Sequence, residues 1–185
     1  MKKNNLLLGV GILAVMMTAG AAQAETLTFE TRSIDRSDGS DAQEFLGRYT
    51  HNGYIVDLGT EVSYTTSDAG DTTKLTESAS VQIAAPGDII IAPYVELGYA
   101  LTPDEDGAFW GVGSNISKDF GPVTAIVGLR HRTDFDNNIG IDEDRVNAGL
   151  RYNINDNHSI ALNYYHTFAE TDSDAIGVSY RYAFG

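Results

Sequence analysis

Hydrophobic and polar residues alternate along most of this 185-residue chain, in segments of about ten residues. In the clearest segment, residues 54–64, the side chains of Val56, Leu58 and Val62 fall on one face while Asp57 and Glu61 fall on the other. A period of two is the pattern of a β-strand whose two faces meet different surroundings. Nine further segments follow the same rule, at 27–33, 45–51, 75–85, 89–101, 110–120, 123–131, 146–154, 160–168 and 176–184. The pattern predicts an all-β chain with ten strands.

The connections between these segments alternate between tight and longer ones. The tight ones carry residues that favour turns, as in Asn52-Gly53, Pro86-Gly87-Asp88, Gly121-Pro122 and Asn155-Asp156-Asn157. Five longer, polar connections lie between them, at 35–44, 66–73, 103–107, 134–145 and 170–175. We therefore expect neighbouring strands to pair antiparallel in chain order, with short turns at one end of the sheet and long loops at the other.

Aromatic residues cluster near both ends of the predicted strands. Tyr152 and Tyr182 lie beside short turns, whereas Tyr99, Trp110 and Phe168 lie beside long loops. Two aromatic bands of this kind suit the two interfaces of a bilayer. Backbone groups inside hydrocarbon must all be paired, so a sheet that crosses a membrane has to close on itself. The sequence therefore predicts a transmembrane antiparallel up-and-down β-barrel of about ten strands, with eight or twelve as alternative counts and a soluble β-sandwich as the alternative fold.

The first 24 residues have the features of an export signal. Lys2 and Lys3 precede an apolar run at 6–17, and Ala22-Gln23-Ala24 has the small residues of a signal-peptidase site. We expect cleavage after Ala24, which leaves 25–185 as one barrel domain. The formal charge then changes from −14 to −16, because the signal holds two lysines and no acid. Such an acidic chain is not suited to bind nucleic acid, and its lack of cysteine excludes disulfides and thiolate sites.

The last predicted strand places Val178, Tyr180, Tyr182 and Phe184 at every second position, up to a near-terminal aromatic residue. This segment resembles the C-terminal strand of small bacterial outer-membrane β-barrel proteins, the superfamily that includes porin-like and opacity-type proteins. The resemblance implies that these four residues form the assembly signal read by the barrel-assembly machinery. It also implies insertion in the outer membrane of a Gram-negative bacterium. One departure from the pattern is that Gly185 follows the aromatic residue.

The strand pattern places the charged residues on the polar face, which in a barrel is the lumen. The predicted lumen-lining charged residues are Glu30, Arg32, Arg48, Asp57, Glu61, Glu96, Arg130, Arg132, Arg151 and Arg181, whereas Arg36 and Arg145 fall in predicted loops. An arginine on the lipid face would cost roughly 2–4 kcal/mol near the bilayer midplane. Two interpretations stay open. The charges either line a narrow pore that passes small polar solutes or ions, or they form a salt-bridge network that fills the lumen of a structural barrel.

Most acidic residues fall in the five predicted long loops, where they would form a negative rim on the outside of the cell. We expect outer-membrane lipid and lipopolysaccharide as neighbours, with weakly bound divalent cations between the acids and lipid phosphates. The best local candidate for a metal is the set Asp134, Asp136, Asn138 and Asp142, although position twelve of this stretch is Arg145 and a calcium loop has glutamate there. No cofactor is predicted. An alternative function is surface binding or adhesion through these loops.

No set of residues predicts catalysis. His51 and His158 lie next to short turns, and His131 and His166 fall on the lipid-facing side of their strands. A lipid-facing hydrolase would need a serine and an orienting acid beside its histidine. The sequence offers Thr133 and no evident acid beside His131. We therefore predict an integral outer-membrane barrel protein that is not an enzyme.

Overall fold

The computed structural model describes residues 25–136 and 139–185, so the predicted export signal lies outside the described residues. The described part of the chain forms the strands β1 (Glu25–Arg36), β2 (Asp41–His51), β3 (Asp57–Ser67), β4 (Gly70–Ser80), β5 (Ile83–Ala85), β6 (Ile89–Leu101), β7 (Asp106–Phe120), β8 (Val123–Asp134), β9 (Asp142–Asn153), β10 (His158–Phe168) and β11 (Ser173–Phe184). Within these residues no helix is long and apolar enough to cross a membrane. The all-β prediction is confirmed.

Ten of these strands form one closed antiparallel barrel. Each long strand pairs with the next long strand along the chain, β1 pairs with β11, and the ladder between β4 and β6 completes the ring. The short strand β5 pairs only with the first residues of β6. Because every long strand of the described chain has two neighbours, the ring has no open edge, as a sheet inside hydrocarbon requires. The predicted up-and-down barrel of ten strands is confirmed.

Both ends of the barrel chain, Glu25 and Phe184, lie at one end of the barrel, which we term the terminal end, and the opposite end is the loop end. A row of paired residues that starts at Asp119 in β7 and passes once around the barrel returns to β7 at Gly107, twelve residues higher. With about 3.3 Å per residue and about 4.8 Å between strands, this offset tilts the strands by about 40°. Successive residues of one strand therefore differ in height along the barrel axis by about 2.5 Å. Paired residues of neighbouring strands differ in height by about 3 Å, and the row rises toward the loop end from β7 through β8, β11 and β1 back to β7.

One predicted strand is interrupted. Residues 75–85 were expected to form a single strand, and the structure divides them into β4 and β5, with Val81 and Gln82 between. The amide of Val81 donates a hydrogen bond to the carbonyl of Pro93 in β6 at 3.2 Å. Proline has no N–H to return the second bond of this pair, so the ladder is broken at that position.

The predicted contrast between short turns and long loops is wrong. The loop-end connections, 37–40, 68–69, 102–105, 135–141 and 169–172, are between two and seven residues long. The terminal-end connections 52–56, 86–88, 121–122 and 154–157 are between two and five residues long, so the two ends differ little. The strands instead continue into the acidic segments, because pairing in a barrel wall does not require an apolar side chain. Tyr54, expected at the start of a strand, lies in connection 52–56 and is 96% exposed, and β3 begins three residues later at Asp57.

The two faces of the wall are inverted relative to a soluble protein. Large apolar side chains point outward and are exposed, for example Leu129, Leu150 and Leu162, each about three-fifths exposed. Charged side chains point inward and are buried, with Arg32 at 6% and Arg132 at 4% exposure. A continuous apolar outer surface of this size needs lipid as its surroundings. The predicted sorting of lipid-facing and lumen-facing residues agrees with this arrangement.

Candidate functional site in the barrel lumen

The first group of lumen charges is centred on Arg32 in β1. Its Nε lies 3.0 Å from Oε1 of Glu30, and its Nη1 lies 2.7 Å from Oε2 of Glu44 in the neighbouring strand β2. The guanidinium also stacks over the ring of Tyr165, 4.2 Å from its centroid. All three charged side chains are buried, and Arg32 is the ion-pair partner of both carboxylates, while the hydroxyl of Tyr165 also donates a hydrogen bond to Oε1 of Glu30 at 2.6 Å.

A second group lies across the lumen on β6, β8 and β9. Arg132 Nε lies 2.7 Å from Oε1 of Glu96. Arg130 forms an ion pair with Glu143, and Arg145 Nη2 lies 3.7 Å from the same carboxylate. The two glutamates therefore hold three arginines. In the described residues this group and the Arg32 group occupy much of the half of the lumen nearer the loop end.

Nearer the terminal end the charges are fewer and less completely paired. Arg48 Nε donates a hydrogen bond to Oε2 of Glu61 at 2.8 Å, with about half of the arginine side chain exposed. Asp57 is buried and accepts a 2.7 Å hydrogen bond from the side-chain amide of Gln82. Arg151 and Arg181 form no ion pair with any described carboxylate within 4.0 Å.

The predicted lumen set thus divides into three kinds of residue. Arg32, Glu30, Arg130, Arg132 and Glu96 belong to the two buried groups, Arg48 with Glu61 forms a separate pair, and Asp57, Arg151 and Arg181 stand outside these pairs. The structure corrects the placement of Arg145, which was expected in a loop and lies in β9 with its side chain in the lumen. Glu44 and Glu143 were also assigned to loops and are in strands. Each follows the inward parity of its strand, so the alternation would have found Glu44 and Arg145 if extended by one residue, and Glu143 if extended by three.

A polar cavity of about 220 Å³ lies in the lumen. Its lining includes Arg48, Glu61, Tyr94, Asn115 and Arg130. The volume holds several water molecules and is smaller than a typical site for a drug-sized ligand. The arrangement suits small polar solutes or water.

A small apolar cluster lies in the lumen at the loop end. Phe109 and Ala100 point inward with no exposed surface, and Ile139 and Ile141 of connection 135–141 pack against them. The connection is fastened in this position by two hydrogen bonds, from Asp134 N to Ile141 O at 2.8 Å and from Ile139 N to Asp134 Oδ2 at 2.9 Å. This cluster was not predicted from the sequence, although Ile139 and Ile141 are apolar residues in a connection that also contains Asp136, Asn137 and Asn138.

Three of the candidate calcium residues, Asp134, Asp136 and Asp142, are among the described residues, and they do not form a metal-binding group. Asp134 lies in β8 and binds the backbone of its own connection, Asp142 begins β9, and Asn138 lies outside the described residues. Within residues 25–136 and 139–185, no group of three or more His, Cys, Asp or Glu side chains is arranged to hold a metal ion. Cation binding at this rim stays a prediction.

Two histidines on the outer wall, His131 and His166, have acidic neighbours that were not predicted from the sequence. Nδ1 of His131 lies 3.0 Å from Oδ1 of Asp144, its pair partner in β9, and the ring of Trp110 meets it edge to face. The expectation that His131 has no acid beside it is therefore wrong. The side chain of Thr133 forms no hydrogen bond with this histidine in the described residues, so the histidine, acid and hydroxyl do not form a triad.

The four residues of the predicted assembly signal lie in β11, the last strand of the barrel. Val178, Tyr180 and Tyr182 are exposed on the outer face of β11, and the ring of Tyr182 stacks on that of Phe184. The same strand closes the barrel against β1, with Phe184 opposite Glu25. A role in assembly stays a prediction.

The closed ten-stranded ring, the apolar outer wall and the charged lumen together define the fold of the outer-membrane β-barrels. The chain is similar to the β domain of the Bordetella autotransporter BrkA (TM-score 0.58, 9% identity, 88% of this chain and 99% of that chain). It is also similar to an outer membrane channel from Pseudomonas putida F1 (TM-score 0.58, 10% identity, 90% and 97%) and to the KdgM porin (TM-score 0.50, 10% identity, 85% and 99%). No protein-family profile and no curated protein matches the sequence. At these identities the likeness extends to the fold alone.

Proposed function

We propose that the protein is an integral barrel of the bacterial outer membrane whose lumen is closed, at the end facing the cell exterior, by its own side chains. The terminal end, where both ends of the barrel chain lie, would then face the periplasm. Lipid and lipopolysaccharide would surround the wall. The observation that carries this proposal is the combination of two buried ion-pair groups with the Phe109 cluster in the same half of the lumen.

Size and charge support a closed lumen. Barrels of about eight strands enclose only enough space for side chains, whereas those of about sixteen leave an aqueous channel, and ten strands lie near the closed limit. Connection 135–141 adds apolar side chains across the loop-end opening. A solute would have to displace buried, mutually paired charges in order to pass, and separating such pairs costs several kcal/mol.

A second candidate is porin-like passage of small polar solutes or ions. The polar cavity of about 220 Å³ favours it, because a continuous wet path needs only a modest movement of the side chains above the cavity. Adhesion is less well supported than the sequence suggested, since the loop-end connections are shorter than expected and offer little surface for a partner.

Planar-bilayer recordings on the purified full chain separate the two candidates. Fractionation with the outer membrane and heat-modifiable gel migration would first establish the inserted barrel. The wild type should be electrically silent, and Phe109→Ala should produce a measurable conductance by opening the loop-end cluster. Phe29→Ala, on the exposed outer wall, is the matched control and should stay silent. A wild type that conducts steadily would overturn the closed lumen in favour of passage.

A further inference from the structure

Arg151 and Arg181 stand next to each other in the lumen near the terminal end. Arg151 pairs with Ala161 in β10, Ala161 pairs with Ser179 in β11, and Arg181 lies two residues below Ser179. Moving two strands along the row raises the level by about 6 Å, and moving two residues down β11 lowers it by about 5 Å. The two arginines therefore lie within about 1 Å of the same level along the barrel axis. Only the small side chains of Ala161 and Ser159 face the lumen between them on β10.

These two arginines differ from the other arginines deep in the lumen. Arg32, Arg48, Arg130, Arg132 and Arg145 each form an ion pair with a glutamate. Arg151 and Arg181 have no carboxylate within 4.0 Å among the described residues. The acid that acts on Arg151 from a distance is Asp119. The carboxylate of Asp119 accepts a hydrogen bond from the hydroxyl of Thr124 at 2.5 Å. Asp119 lies about 6 Å closer to the terminal end than Arg151 does.

Two positive side chains on one wall, with no carboxylate in ion-pair contact among the described residues, leave a concentrated positive potential inside an otherwise strongly acidic protein. Their mutual repulsion disfavours the folded barrel unless an anion lies between them. Two guanidinium groups present paired N–H donors that match the oxygen atoms of a phosphate or a carboxylate. Ser159 and Thr28, the pair partners of Arg181 on either side, add hydroxyl groups to the same part of the wall.

We propose that Arg151 and Arg181 form a binding site for a small oxyanion, a phosphate or carboxylate group, that enters from the periplasmic end of the lumen. The site opens toward the polar cavity, because Arg48, which lines that cavity, lies two strands from Arg181 along one row and about 6 Å nearer the loop end. The proposal rests on insertion of the barrel as proposed above. It does not depend on whether the lumen conducts.

Isothermal titration calorimetry on the full chain, folded in phosphate-free zwitterionic detergent, tests the site with inorganic phosphate. Wild type should give saturable heat, and sodium chloride at equal ionic strength should not. The double variant R151Q/R181Q should lower phosphate affinity by about tenfold or more, because both charged hydrogen-bonding partners are lost. Arg36→Gln is the matched control. It removes the same charge at the loop end, where Arg36 contacts Ser40, and should leave the affinity unchanged.

Two further measurements complete the test. The charge-retaining variant R151K/R181K should bind more weakly than wild type and more tightly than R151Q/R181Q, since lysine keeps the charge and loses the planar fork. Titration with a short-chain phosphatidylglycerol shows whether a lipid headgroup occupies the site as well as free phosphate does. Absence of saturable phosphate heat in a wild type that shows heat-modifiable migration overturns the site while leaving the barrel intact. Equal affinity in R151Q/R181Q and wild type overturns it too.

Discussion

The hydroxyl of Thr60 donates a hydrogen bond to Oε2 of Glu77 at 2.7 Å on the outer wall of the barrel. Following the paired rows, Glu77 lies about 12 Å above the level of Tyr182 and about 6 Å below that of Trp110. Between those levels it is the one acid, lysine or arginine that faces outward in the described strands. A carboxylate is thus exposed to hydrocarbon, with a single hydroxyl to stabilise it.

Replacement of this carboxylate should stabilise the barrel. Glu77→Leu is expected to raise the free energy of unfolding by up to about 2 kcal/mol, because acids on the lipid face cost less than the 2–4 kcal/mol of a lysine or arginine there. Urea titration in liposomes, followed by gel migration, measures the change. Glu105→Leu, in connection 102–105, serves as the control and should have no such effect. If Glu77→Leu destabilises the barrel, then the carboxylate contributes a favourable contact.

The buried pair of Arg132 with Glu96 should behave as a unit. Arg132→Met alone is expected to cost about 3–5 kcal/mol, because it leaves buried Glu96 with only the longer contact to Arg130, whose Nε lies 3.9 Å from its Oε1, whereas R132M/E96M should recover most of that loss. Arg36→Met, which removes an arginine from the loop end, should cost much less. The same urea titration compares the three variants. Additive losses in the double variant would show that the two side chains act independently.

Gly98 determines how closely Phe109 packs in the lumen. A Cβ at this position would lie 2.2 Å from Cζ of Phe109 and 2.7 Å from the carbonyl oxygen of Leu75. Gly98→Ala should therefore destabilise the barrel by about 1–3 kcal/mol through overpacking, and should displace the phenylalanine ring and raise the single-channel conductance. In G98A/F109A the two effects on conductance should not add, since the second substitution removes the displaced ring. If the two effects on conductance add, then the constriction that limits conductance does not lie at Phe109.

Trp110, the single tryptophan of the chain, reports on the outer wall. Its position near the loop end of β7, beside outward-facing His131, predicts contact with the interfacial region of the lipid. Lipids brominated close to the headgroup should quench its fluorescence more strongly than lipids brominated near the chain ends, and aqueous iodide should quench weakly. Strong iodide quenching in liposomes would contradict the lipid-facing assignment of this wall.

Strand alternation was sufficient to predict the barrel and the side of the wall for most charged residues. It failed at the loop end, where Glu44 and Glu143 continue the inward parity of β2 and β9 beyond the last apolar neighbour. There both faces of the wall are polar, so hydropathy carries no period even though the backbone ladder continues. The prediction ended each strand where its apolar residues ended.

The ion-pair partners could not be predicted from one sequence. Arg32 with Glu44 and Arg132 with Glu96 depend on the register between strands and on the curvature of the closed wall, neither of which is encoded in a period of two. The interruption at Val81 was readable in principle. To predict it, one has to know that Pro93 lies opposite Val81, and this pairing depends on the register between the strands.

The short strand β5 leaves the ring at its terminal end as one arm of a narrow hairpin with β6. Among the described residues no strand lies on its outer side, because the first residue of β3, Asp57, pairs with Ser80 and β3 does not extend to β5. An unpaired side of this kind invites strand addition from another chain. Three residues give room for only one or two hydrogen bonds. The exposed backbone of β5 therefore offers a second folded barrel only a very short edge for strand addition.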